Sequence, residues 1–326
     1  MADGSSPPHG QDIFKPNSPC SPDKCPVEWS MFGYKPSFAA NVAFLVLFAV
    51  IGLAHTYLGF RWRSWGFMAG IWLGCIAEIL GYVGRIMMSH DPFSYYGFMI
   101  QIICLTIAPV FYTASIYVTL SKTINYFARD LSRFKPKLFY WIFIPFDVVC
   151  LVLQAIGGAL STTEKNGSRT GVNISMAGLI LQVIVIVLFL VAFADYMARL
   201  VRSGRARQEL RTWRSVTFFS GLVAACLFIL TRCVYRVAEL KDGYSGKLFR
   251  EQTPFIILEG VMVVIAAVAL MFGHPGLVID KPALGRGGSG LGKNSHSDSD
   301  IGSIPMGHYG RERIASSAGE PAGERV

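Results

Sequence analysis

The sequence predicts an all-α fold: a polytopic membrane protein built as a seven-transmembrane helix bundle, N-terminus outside and C-terminus cytoplasmic. Two observations give the helices and a third gives the orientation. Hydrophobic residues make up 52% of the 326 and charged residues only 16%, where a water-soluble domain carries about a quarter charged residues. The apolar residues also come in blocks of about 20, the length that crosses a hydrocarbon core, instead of at the spacing of one helix face. The third observation is that Lys and Arg collect in alternate connections between the blocks, as positive charge does on the cytoplasmic side of a membrane. That placement accounts for the formal net charge of +9 without nucleic acid, for which no base-reading module is visible.

Residues 1–37 form a polar tail rich in Pro and Ser, without the apolar stretch of a cleavable signal, so the first helix is expected to act as the targeting segment. The first span, 38–60, contains His55 and closes on loop one, with Arg61 and Arg63. The second, 65–87, carries Glu78, Tyr82 and Arg85, whose spacings of four and seven place them on one face. The third, 96–120, holds Gln101 and then Ala108-Pro109, where proline is expected to kink the helix and free a carbonyl. Loop three follows with Lys122, Arg129, Arg133, Lys135 and Lys137. The fourth span, 138–160, bears Asp147 and Gln154, again one stripe, and the fifth, 174–198, has Gln182 centrally and Asp195 near its end. Loop five is the most basic, with Arg199, Arg202, Arg205, Arg207, Arg211 and Arg214. The sixth span, 214–235, leads into Arg232, Arg236 and Glu239 at spacings of four and three, and the seventh, 254–273, holds Glu259. Short connections predict consecutive helices as antiparallel neighbours.

An odd number of spans puts loops one, three and five and the C-terminal tail on one side, which the positive-inside rule makes cytoplasmic. Asn166-Gly167-Ser168 is a glycosylation sequon in loop four, on the expected outer side. Cys20 and Cys25, in the outer tail, are spaced for a local disulfide. The other five cysteines (75, 104, 150, 226 and 233) sit in apolar spans as small core residues. From about 280 the chain is rich in Gly and Ser, a composition that supports no packed core. Three regions result: an outer tail 1–37, a seven-helix domain 38–279 and a disordered cytoplasmic tail 280–326.

Ionisable groups inside spans are costly in hydrocarbon and face the bundle interior. Glu78, Asp147 and Glu259 are short and deep, which calls for a polar cavity. Arg85, Arg232, Arg236 and Glu239 lie nearer helix ends, where long side chains also snorkel to headgroups. Single ion pairs, Glu78 with Arg232 or Glu259 with Arg236, would satisfy several of these groups. His55 is expected to be a helix-packing residue, and Gly81, Gly84, Gly157, Gly158 and Gly178 to mark close helix contacts.

Taken in order, these stripes resemble the fungal RTA-like (resistance to aminocholesterol), or lipid-translocating exporter, family. The elements are Glu78-x-x-Gly81-Tyr82-x-x-Arg85, Gln101 with Ala108-Pro109 and Tyr117, Asp147 with Gln154 and Gly157, and Gly178 with Gln182. Arg232-x-x-Tyr235-Arg236-x-x-Glu239, Glu251, Glu259 and His274-Pro275-Gly276 complete the set, over roughly residues 34 to 279. Two departures stand out: the position of Glu259 is usually Asp in the family, and the sequence after Glu239 leaves the common pattern. The resemblance implies a multi-pass protein of the plasma membrane or an internal membrane that exports or flips sphingoid long-chain bases and protects against toxic amphiphiles. It fixes no catalytic residue. Membrane lipids are the expected partners, and neither a cofactor nor a metal is implied.

From the residues themselves, Glu78, Asp147 and Glu259 are expected to line a groove that takes a cationic amine, with Arg85 and Arg232 holding the carboxylates when it is empty. No ATP site is visible, which leaves a gradient or passive movement as the driving force. The rival function is a seven-helix receptor or sensor, which the basic loop five and Ser-rich tail would suit. The common receptor marks are missing: Ser121-Lys122-Thr123 stands where Asp/Glu-Arg-Tyr would close helix three, and helix seven lacks Asn-Pro-x-x-Tyr. Helix seven also has no lysine for a retinal Schiff base, and His55, His90 and His274 are too scattered for a metalloenzyme.

Overall fold

The computed structural model describes residues 24–30, 32–127, 136–163, 169–203, 212–243, 246 and 248–278. Cys20, Asn166, the arginines at 129, 133, 205, 207 and 211, Lys135 and the tail expected from 280 lie outside them. The described residues form α1 (Phe38–Trp62), α2 (Trp65–His90), α3 (Tyr95–Phe127), α4 (Pro136–Thr163), α5 (Thr170–Arg202), α6 (Trp213–Lys241) and a composite α7 (Gln252–Leu277). Each is long and apolar enough to cross a membrane. The chain is a multi-pass membrane protein with seven such helices among its described residues.

Several helices outrun the expected spans: α3 continues to Phe127, α5 runs from Thr170 to Arg202, and α6 reaches Lys241. Twenty residues cover the hydrocarbon, but a 33-residue helix rises about 50 Å and carries its ends into the headgroups. Helix ends follow local chemistry. The Ser37 hydroxyl accepts from the Ala40 N–H at 3.4 Å to start α1. Arg63, in the left-handed region at φ 50°, ends α1 and turns the chain into α2 two residues later.

Each helix packs on the next in sequence, α7 returns to α1, and α3 also touches α6. The buried stripe of α1 (Asn41, Phe44, Phe48, Ile51, His55) recurs at three- and four-residue steps, and the outer faces expose Leu53, Tyr57, Val191 and Trp213. A bundle with apolar residues on both faces is a bundle for lipid, where packing is set by close fit and not by hiding grease from water. Glycines supply the fit. A Cβ on Gly84 would meet the Gly97 carbonyl at 2.7 Å, and one on Gly157 would run into Ser175 and the Gly171 carbonyl. Gly158 is the exception to expectation, since nothing lies within 4 Å of its Cβ position. Gly157→Leu should therefore lower the thermal midpoint of the purified protein, by a cost of about 1–3 kcal/mol, while Gly158→Leu leaves it unchanged. Equal effects from the two neighbours would contradict this helix register.

α7 begins with an α turn at Gln252–Pro254, widens into a π-helix over Phe255–Val261, and resumes as α-helix over Met262–Phe272. The π segment shifts the register by one residue and sets Glu259 and Gly260 inward. Near the C-terminal end of α7, His274 Nδ1 accepts from the Gly276 N–H (3.1 Å), its Nε2 meets the Ser64 hydroxyl (3.0 Å), and its ring lies 4.7 Å from that of Trp62. This pins the end of α7 to the α1–α2 turn.

Candidate functional site

The interior holds a charged centre where α2, α3, α6 and α7 meet. Arg232 of α6 is 1% exposed, so it does not snorkel. Its Nη2 donates to Glu259 Oε1 at 2.5 Å and to the Leu105 carbonyl at 2.5 Å. That carbonyl is the one Pro109 leaves without an amide donor in α3. Glu78 of α2 is also 1% exposed, one turn from Gly81, whose Cβ position abuts the Leu105 side chain. Among the described residues neither Glu78 oxygen has a hydrogen-bond partner, and the same holds for the Tyr82 hydroxyl, Arg232 Nε, Gln101 Oε1 and Glu259 Oε2. A buried seam this under-bonded is atypical of inert cores.

Toward the end of the bundle where α1 begins and α2 ends lies Arg85, fully buried. Its Nε donates to Asn41 Oδ1 (3.2 Å) and its Nη2 to the Tyr34 hydroxyl (3.1 Å), while the guanidinium carbon sits 3.7 Å over the Phe255 ring. Nη1 is unpartnered. Aromatic rings close this end: Phe32 stacks on Phe249 at 4.9 Å and meets Phe98 edge-on at 5.9 Å. Beside it, Arg236 pairs with Glu239 at 2.6 Å along α6, and the Tyr235 hydroxyl reaches the same carboxylate at 3.4 Å.

A second carboxylate centre lies where α3, α4 and α6 pack. Asp147 Oδ2 accepts from the Thr113 hydroxyl at 3.1 Å, Tyr117 lies beside it, and Oδ1 has no partner among the described residues. Asp147 is 1% exposed and has no ion pair among the described residues. On the same α4 stripe, Gln154 Nε2 donates to Gln182 Oε1 at 3.0 Å, and Ser175 donates to the Gln154 carbonyl at 3.1 Å. These bonds tie α4 to α5.

The expected interior residues Glu78, Tyr82, Arg85, Gln101, Asp147, Gln154, Gln182, Arg232, Glu239 and Glu259 are all buried. Their pairings differ from those expected. Arg232 joins Glu259, not Glu78, because its other anchor on α3 draws it across the bundle. Arg236 joins Glu239 on its own helix, not Glu259. Arg85 holds no carboxylate; Asn41, Tyr34 and Phe255 surround it. Asp195 pairs with Arg199 at 3.0 Å on an exposed face, away from the interior. His55 Nε2 bonds the Ala267 carbonyl at 3.1 Å, joining α1 to α7 as a packing residue. Asn41, Thr113, Tyr34 and Phe32 were missed. The first two lie on buried stripes, and the aromatic run Trp29, Phe32, Tyr34 in an otherwise polar tail was the signal for the others. Cys25 is disulfide-bonded, and the described cysteines 75, 104, 150, 226 and 233 are free.

The order of these groups along the helices can be set against known proteins. The family model described as RTA1 like protein matches residues 71–282. The chain belongs to the RTA1-like family. Among curated relatives of this family, the sphingoid long-chain base transporter RSB1 of Saccharomyces cerevisiae (strain Lalvin EC1118) is 32% identical over 279 residues, covering 75% of this chain and 73% of the relative. Protein RTM1 of S. cerevisiae is 26% identical over 295 residues (78% and 94%), and Protein RTA1 of strain S288c is 25% identical over 273 (76% and 85%). No solved structure matches. The RTA1-like match covers Glu78 through His274, and so every group of the charged centre.

Proposed function

We propose that the chain moves cationic amphiphiles, sphingoid long-chain bases foremost, across the membrane, with Glu78 and Asp147 receiving the amine in turn. One observation carries this reading: both carboxylates are buried in the bundle with open oxygens and no ion pair among the described residues, while Arg232 and Arg236 are engaged elsewhere. A carboxylate inside protein is stable as a charge only beside a cation, and a substrate ammonium supplies one. The low surrounding dielectric strengthens that pairing, while the alkyl tail remains among the exposed apolar faces or in lipid. Glu259 leaves the expected groove, since Arg232 already holds it. The relative named as a sphingoid long-chain base transporter supports the substrate class, and it supports a transport role over an enzymatic one.

The orientation is part of the proposal. Arg61, Arg63, Lys122, Arg199, Arg202 and Arg214 lie at one end of the antiparallel helices, which fits a cytoplasmic face. The N-terminus would then lie outside, the tail from 280 inside, and Asn166 would be open to glycosylation. A glycosidase-sensitive mobility shift that Asn166→Gln removes is the expected result, and a tag on the N-terminus that only permeabilised cells expose would reverse the orientation. For function, cells made sensitive to a toxic long-chain base should gain tolerance and release the labelled base when they produce the protein. Tolerance without release would speak for a sensor.

A further inference from the structure

We infer that Pro109 is a positioning residue: by denying Leu105 its helical partner it ties Arg232 down, keeps that guanidinium off Glu78, and so leaves Glu78 as the open carboxylate. The inference rests on the reading of Glu78 as an amine-receiving group. In an α-helix the carbonyl of residue 105 accepts from the N–H of residue 109. Proline has no N–H, and the Leu105 carbonyl takes Arg232 Nη2 at 2.5 Å in its place. The same nitrogen holds Glu259 Oε1 at 2.5 Å, so one side chain of α6 is stretched between α3 and α7. Glu78, on α2, stands three residues before Gly81, whose Cβ position lies 2.5 Å from the Leu105 side chain, on the stretch of α2 that packs against this part of α3. Yet both Glu78 oxygens and Arg232 Nε are left without hydrogen-bond partners among the described residues. An untethered guanidinium offers five donors, enough to serve more than one carboxylate. The Leu105 carbonyl, anchored in backbone, prevents that turn.

Pro109→Ala tests this, because alanine restores the N–H and is the best helix former. Arg232 then loses its α3 anchor and should turn to Glu78. In native membranes a hydrophobic carbodiimide should modify Glu78 and spare the paired Glu259, read by peptide mass spectrometry. In Pro109→Ala, modification of Glu78 should fall about tenfold, the scale of one charge-assisted hydrogen bond. In vesicles the KM for a long-chain base should rise by a similar factor with little change in maximal rate. Pro109→Gly, which restores the N–H but leaves the backbone free to bend, should label as Pro109→Ala does. In an Arg232→Gln/Glu259→Gln background neither change should alter Glu78 labelling. Equal Glu78 labelling in native and Pro109→Ala protein overturns the inference. A fall that persists in the background without the guanidinium also overturns it, since the proline bend would then be the cause. If labelling behaves as expected but native protein moves no base, the transport reading fails and the assignment of Pro109 stands.

Discussion

Arg232→Met should leave little folded protein. The guanidinium is 1% exposed and joins α6 to α7 through Glu259 and to α3 through the Leu105 carbonyl. Removing it strands a buried carboxylate and a backbone carbonyl that Pro109 has already deprived of its amide. Breaking one side of a buried pair costs about 3–5 kcal/mol, against a total stability of about 5–15 kcal/mol for a typical protein. Removing both charges is a different matter, because no uncompensated group remains. The double change Arg232→Met/Glu259→Met should therefore recover much of what the single change loses. Size-exclusion profiles of a fluorescent fusion, with thermal midpoints, separate the cases. A single variant as stable as native would show that the pair is not structural.

The second large effect is on transport. Glu78→Gln with Asp147→Asn keeps shape and hydrogen-bonding capacity but removes the two carboxyl groups proposed to carry a charge against the substrate amine. No ion pair is broken, so protein level and thermal midpoint should stay near native. Transport of a cationic base should fall at least a hundredfold, as each lost charge-assisted contact contributes about 1.5–3 kcal/mol. Glu259→Gln should behave in the opposite way, with stability falling first, since Glu259 is the fixed partner of Arg232. A shared loss of stability in both variants would mean that the interior is structural throughout.

The helices were legible in the sequence because hydrocarbon imposes a length, and seven apolar blocks satisfy it. Their ends were less so, because α3, α5 and α6 continue past the hydrocarbon where apolarity no longer marks them. Burial of Glu78, Tyr82 and Arg85 followed from their spacing on one face. The partner of each charge did not follow. Whether Arg232 meets Glu78 or Glu259 depends on helix rotation and on the π-helix at Phe255–Val261, and neither leaves a periodic trace. The free carbonyl expected at Pro109 was readable from one residue, but the identity of its donor needed a helix more than a hundred residues away. The Phe32 and Tyr34 contacts with Arg85 were hidden by the polar composition around them.

The carboxylates Glu78 and Asp147, without an ion pair among the described residues, stand apart from the paired Glu259, and the proposed amine translocation assigns its role to these two. Purified protein in sealed vesicles, with a fluorescent long-chain base added to one leaflet and quenched from outside, measures that role directly. Native protein should move the base between leaflets, and Glu78→Gln/Asp147→Asn protein, reconstituted at equal density, should not. Equal movement in both preparations, or none with native protein, would contradict it.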